Sequence, residues 1–278
     1  MSNIRPQFRS EGLGAPVVLL HSSASSGRQW QTLAATLGDR YRTHAVDLYG
    51  HGGTPAWSLP RPMCLDDEIA LVEPRLHVPG GVHLVGHSYG AALALKIAAR
   101  HPGLVKSVAV WEPVLFRLLF DYRPRDRAAS EVLIVAASMR HWLALGHPDR
   151  AAQRFIDFWS GAGSWEPLSA SQQQLIAKRM PTVATHFHAL FNDSLDRVAL
   201  SRLPMPVLCL TGAKTRAATR RIGELLRHAM PFAVHGTLAG MGHMGPVTHS
   251  AAVAMRIAAF LDGLPRYSLL PVPLRQAA

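Results

Sequence analysis

The sequence predicts an α/β fold: a mostly parallel, doubly wound sheet with an inserted helical cap. Three observations carry this expectation. Short apolar runs alternate with helical patterns along most of the chain. Several runs are almost wholly apolar, as expected of strands covered on both faces. One long stretch, 114–203, carries helical patterns and no convincing strand.

The elements follow in order. Ala15–Leu20 (APVVLL) reads as a buried strand, 28–37 as a helix and 43–47 (THAVD) as a second strand. Residues 65–76 carry apolar side chains at every third or fourth position, the helical period. Residues 82–85 form a third strand, 91–100 its helix, and Val105–Trp111 (VKSVAVW) a fourth strand. Helices are expected over 129–145, 151–159, 171–180 and 183–191. The rhythm resumes with a strand at 206–211, a helix at 220–228, a strand at 232–238 and a helix at 251–261. The economical organisation is a core of 1–113 and 204–278, interrupted by a cap of 114–203 over the carboxyl ends of the strands. Open α/β sheets bind ligands at that end. Aromatic residues such as Phe116, Phe120, Trp142, Trp159 and Phe187 should mostly build the cap's core, with a few lining the pocket. The proline-containing tail, 264–278, should pack loosely or extend.

Composition narrows the function classes. Hydrophobic residues are 48% and charged residues 17%, which fits a globular chain. No apolar run is long enough to cross a bilayer, and the N-terminal stretch has no apolar leader region. Cys64 and Cys209 have no metal-ligand spacing and fit a reducing, cytoplasmic setting. The net charge of +11 comes mostly from arginines scattered along the chain, with no run longer than Arg220-Arg221. A nucleic-acid site would show a clustered stripe with interleaved aromatics. Neither nucleic acid nor membrane is therefore expected as a partner.

The chemistry centres on Gly86-His87-Ser88-Tyr89-Gly90, a G-x-S-x-G pattern between a strand and a helix. Such a turn exposes the serine hydroxyl at the sheet's edge, and the helix N-terminus behind it favours negative charge. A serine hydroxyl needs a general base within hydrogen-bond reach. His243, in the glycine-rich loop 239–246 after the last strand, is the candidate. His249 falls at the start of the last helix and reads as surface, and His87 should turn away from the nucleophile's pocket.

LLHSSASSGRQW (19–30), DLYGHGGTP (47–55), VGHSYG (85–90), VLCLTG (207–212) and GMGHMGP (240–246) together resemble the α/β-hydrolase family over nearly the full chain. The resemblance implies a Ser-His-acid triad and no cofactor or metal. Most of the family carries an aspartate in the loop after the strand equivalent to 207–211. Here Thr215 stands at that position, and the loop has no carboxylate. Some members place a glutamate at the end of the preceding strand, where this chain has Glu112. Glu112 is the expected acid, with Asp193, Asp196 or an acid-free dyad as alternatives. The oxyanion hole is expected from the backbone N–H of Tyr89 and of Ser23, with Ser22 the alternative. Asp47 and 50–52 match a structural loop and are given no chemistry.

These residues together point to a serine hydrolase acting by acyl transfer on an ester-type small molecule. Thioesterase, lactonase, carbon–carbon bond hydrolase, aminopeptidase and perhydrolase share the triad. A ligand- or partner-binding protein on the same scaffold is the rival of a different class.

Overall fold

The computed structural model describes residues 6–122 and 125–264. Seven strands form one sheet: β1 (Phe8–Glu11), β2 (Ala15–Leu20), β3 (Tyr41–Val46), β4 (Val82–His87), β5 (Val105–Trp111), β6 (Val207–Gly212) and β7 (Val234–Leu238). Their order is β1-β3-β2-β4-β5-β6-β7. β1 runs antiparallel to β3, and every other pairing is parallel.

The central strands bury both faces by simple alternation. In β2, Val18 and Leu20 face one core while Val17 and Leu19 face the other. The second core receives α1 (Gln31–Leu37) and is closed at the chain's end by Val253, Ile257 and Leu261. The first core receives α2 (Leu65–Val72) and α3 (Tyr89–Arg100). α3 is alanine-rich and almost wholly buried, because a small side chain lets a helix lie close against strands on one side and helices on the other.

Between β5 and β6 the chain forms α4 (Phe116–Tyr122), α5 (Arg127–Ala144), α6 (Pro148–Ser160), α7 (Ala170–Phe191) and α8 (Arg197–Ser201). Phe116 stacks on Phe187 with ring centroids 5.7 Å apart and on Trp159 at 6.5 Å. This apolar cluster is continuous with the core over α3. The sheet is then completed by α9 (Ala217–Ala229), α10 (Gly245–Thr248) and α11 (Ser250–Asp262).

The short helices α4, α8 and α10 were not expected from the sequence, the helix expected over 28–37 opens as a 3-10 turn at Gly27–Trp30, and three further elements depart from expectation. The two helices expected at 171–180 and 183–191 are the single helix α7, which runs through Pro181. A proline inside a helix loses one backbone hydrogen bond, but here Met180, Val183, Phe187 and Leu190 are buried along the same face and outweigh that loss. The helix expected over 65–76 is α2 followed by a separate 3-10 turn at Glu73–Arg75, where Pro74 enters. β1 was not expected at all: its residues are exposed and half of them charged, the make-up of a protected edge strand. The tail named above lies, from residue 265 onward, outside the described residues.

Candidate active site

Ser88 caps α3 with φ 56° and ψ −113°. A non-glycine residue held there costs of order 1–3 kcal/mol and persists only where its surroundings fix it. Its N–H donates to the Trp111 carbonyl on β5 at 3.0 Å, and its carbonyl accepts from Ala91 and Ala92 at 3.1 and 3.0 Å. The flanking glycines answer a demand for space. A Cβ on Gly86 would lie 2.4 Å from the Gly90 carbonyl oxygen, and one on Gly90 would lie 2.3 Å from that of Leu20.

Ser88 Oγ lies 2.9 Å from His243 Nε2, and His243 Nδ1 lies 2.8 Å from Glu112 Oε2. All three residues are buried. Glu112 sits just past β5 with φ 44°, a second strained backbone. Its Oε1 accepts from the Gly212 N–H at 2.8 Å, and its Oε2 accepts from the Thr215 hydroxyl at 2.6 Å as well as from His243.

The His243 loop is fixed from below. The His243 carbonyl accepts from Trp111 Nε1 and from His87 Nε2, each at 2.9 Å. His87 therefore carries its proton on Nε2, and its Nδ1 accepts from Gln29 Nε2 at 3.0 Å. Burial holds His87 well below the usual imidazole range, so it stays neutral. From α6, Trp159 covers the His243 ring at 4.1 Å between centroids.

The Ser22 N–H donates to Gln29 Oε1 at 3.2 Å. The Ser23 and Tyr89 N–H groups have no hydrogen-bond acceptor among the described residues. Asp193 pairs with Lys96, and Asp196 caps α8 by accepting from the Ala199 N–H at 2.8 Å. Both alternative acids are thus engaged elsewhere. Asp47 accepts from the Gly27 and Gly53 N–H groups at 2.7 and 3.0 Å, a loop-bracing role. His249 is exposed at the start of α11. An arrangement of hydroxyl, imidazole and carboxylate in this order can activate the hydroxyl as a nucleophile. Among the described residues no group of three or more His, Cys, Asp or Glu could hold a metal ion.

The model of the alpha/beta hydrolase family matches residues 17–256. The chain belongs to the alpha/beta hydrolase family. It is 26% identical over 253 residues to the pimeloyl-[acyl-carrier protein] methyl ester esterase of Chromobacterium violaceum, covering 90% of this chain and 96% of that one. It is also 26% identical to the (E)-2-((N-methylformamido)methylene)succinate hydrolase of Acinetobacter baylyi, covering 95% and 97%. Among solved structures, the enol-lactonase of Burkholderia xenovorans superposes with a TM-score of 0.74 at 19% identity, covering 93% of this chain and 97% of that one. That likeness is one of fold.

This hydrolase also holds a second polar chain beside the first; of its members the sequence reading named Ser23 and Tyr89 for their backbone amides, but not His186 or Glu68. The Ser23 hydroxyl lies 2.7 Å from His186 Nδ1 on α7. His186 stacks flat on the Tyr89 ring at 3.8 Å, and its Nε2 faces Glu68 Oε1 on α2 at 3.8 Å. Both Glu68 and His186 occupy the apolar stripe of their helices, between Leu65 and Ile69 and between Val183 and Phe187. A polar residue at a core position of a helical pattern was the available signal.

Proposed function

We propose that the protein is a serine hydrolase of carboxylic esters. The carrying observation is the unbroken Ser88–His243–Glu112 chain at a strained strand-to-helix turn. Ser88 Oγ attacks the ester carbonyl while His243 Nε2 takes its proton. Glu112 holds the imidazole with Nδ1–H directed at the carboxylate and balances the imidazolium that forms. The Tyr89 and Ser23 N–H groups, free of acceptors among the described residues, receive the oxyanion. His243 then protonates the leaving alcohol, and water repeats the sequence on the acyl-enzyme. Residues 114–203 act as a cap that covers the site, supported by Trp159 on His243 and by the contact of Ser23 with His186. The relatives that act on methyl esters favour a small alcohol as leaving group. The binding-protein reading leaned on the missing aspartate after β6, and Glu112 supplies a carboxylate to the same imidazole.

The test is covalent. A fluorophosphonate probe should label the native protein once, and Ser88→Ala should abolish labelling and turnover of short p-nitrophenyl esters. Labelling that survives in Ser88→Ala refutes the reading.

A further inference from the structure

Three buried polar atoms converge where α2, α3 and α7 meet: Glu68 Oε1, Tyr89 Oη and His186 Nε2. None has a hydrogen-bond partner of good geometry among the described residues. Glu68 Oε2 takes a long contact from the Tyr49 N–H at 3.4 Å, and the Tyr89 hydroxyl lies against the same carboxyl. A firm bond leaves this cluster between His186 Nδ1 and the Ser23 hydroxyl, at 2.7 Å. A second grip lies one loop position on, where Arg179 Nη1 donates to the Ala24 carbonyl at 2.7 Å. Helix α7 therefore holds the loop that follows β2 at two successive residues.

We infer that Glu68 and His186 are positioning residues for the proposed reaction: a protonated Glu68 donates to His186 Nε2, His186 Nδ1–H donates to Ser23 Oγ, and the Ser23 O–H is left free to donate to the oxyanion beside the two backbone amides. The inference rests on the ester-hydrolase reading above. Two proton arrangements compete. With Glu68 neutral, its O–H satisfies His186 Nε2, Tyr89 Oη donates to the carboxyl, and every orphaned atom gains a partner. With Glu68 ionised, the imidazole proton moves to Nε2 to face the carboxylate, Nδ1 becomes an acceptor, and it captures the Ser23 proton. The hydroxyl then has no hydrogen for the substrate.

The surroundings select the neutral arrangement. The groups facing the cluster are Tyr89 from α3, His21 and His51 from the loops after β2 and β3, Asp67 and Cys64 on and before α2, Asp193 after α7, and Arg179 on α7. Among these, Tyr89, His21 and His51 carry no charge at neutral pH: burial raises Tyr89 well above the usual phenol range and lowers His21 and His51 to about 4 and about 3. Asp193 is spent on Lys96 and Asp67 on Arg61. Burial pushes Glu68 up to about 8 and holds His186 well below the usual imidazole range. Raising pH through about 8 therefore ionises Glu68 and withdraws the Ser23 proton, so turnover falls on the alkaline side.

The experiment measures kcat and KM of the full chain on p-nitrophenyl butyrate from about pH 6 to about pH 10, with spontaneous hydrolysis subtracted. Ser23→Ala should lower kcat roughly tenfold to a hundredfold with KM little moved, less than the roughly 10²–10³-fold cost of losing an oxyanion-hole donor elsewhere, because the two backbone amides remain. Glu68→Leu should fall toward the same level. Glu68→Gln, whose amide N–H donates to His186 Nε2 at every pH, should recover most of that loss and lack the alkaline fall. His186→Asn, with an amide nitrogen near the place of Nδ1, should lack it too and decides the question if the Glu68 variants do not fold. A Ser23→Ala enzyme with native kcat, or a Glu68→Gln or His186→Asn enzyme that keeps the native alkaline limb, overturns the relay. A wild type that neither hydrolyses the ester nor labels at Ser88 overturns the hydrolase reading instead.

Discussion

Glu112 reaches the His243 imidazole from the end of β5, and Thr215, from the loop after β6, reaches Glu112. Most of the family resembled by this sequence carries an aspartate at the position of Thr215. Here Thr215 donates its hydroxyl to Glu112 Oε2, the oxygen that receives His243 Nδ1. The longer glutamate thus spans from the end of β5, and the threonine steadies it. Glu112→Gln should fold nearly as the native chain does, since the change is close to isosteric. Its ester turnover should drop steeply, because an amide presents the imidazole with the wrong proton and no charge. A comparable acid-to-amide change in a serine protease costs about 10⁴-fold, which serves as an upper guide. Adding Thr215→Asp to Glu112→Gln should restore part of the loss, as the new carboxylate starts from the side chain already touching residue 112. Thr215→Asp alone should impair the enzyme, since two carboxylates would then share one buried site. Native turnover in Glu112→Gln would exclude Glu112 as the acid.

At the scale of the element, the turn between β4 and α3 is a packing solution before it is a chemical one. An alanine for glycine inside a helix ordinarily stabilises by about 1 kcal/mol. Gly90→Ala should do the opposite. Its new Cβ would lie 2.3 Å from the Leu20 oxygen and 2.6 Å from the His21 oxygen, both backbone atoms. Overpacking of this kind costs about 1–3 kcal/mol or more, read as a lower Tm in a thermal melt. The strain falls on the loop that carries Ser23, so turnover should also drop at temperatures where the variant is folded. The pattern of glycines around Ser88 made this turn legible in the sequence, and the apolar runs made β2, β4 and β5 legible for the same reason: each is dictated by local sterics or by burial on two faces. β1 was not legible because an edge strand buries little and needs no apolar pattern. The unbroken course of α7 through Pro181 was hidden because tertiary burial, which no local rule reports, overrides the proline. Ser88 and His243 were legible from their motifs. Their link to Glu112 needed the register that sets Trp111 beside His87 and Leu210 beside Trp111. His186 and Glu68 were illegible as partners, because α2 and α7 meet only in the folded chain.

In the whole molecule, Ser88 is 6% exposed and His243 3%. A cavity of 820 Å³ opens at the other end of the sheet, lined by Ala15, Tyr41, Val105 and Pro206 at or beside the amino ends of their strands. It is remote from Ser88 and His243, which follow β4 and β7 at the carboxyl ends of those strands. The helices between β5 and β6 are pinned to the core near α3 by a mostly buried ion pair, Lys96 with Asp193. Asp66 on α2 stands 3.3 Å from the same ammonium but is half-exposed and shared with Arg100. Asp193 also accepts from the Leu195 N–H at 2.9 Å, which fixes the turn that leads the chain back from α7 toward β6. Removing one partner of a buried pair typically costs about 3–5 kcal/mol, since the other charge is left without compensation. Asp66 offsets part of this, so Asp193→Ala should lose about 3 kcal/mol in a urea titration, at the lower end of that range. Replacing both partners by apolar residues of similar size, Lys96→Met with Asp193→Leu, should recover most of the loss, because no stranded charge remains. A single variant as stable as the native chain would show that the pair does not hold these helices down. Recovery in the double variant, by contrast, would locate the cost in the uncompensated ammonium rather than in lost packing at the junction of α3 and α7.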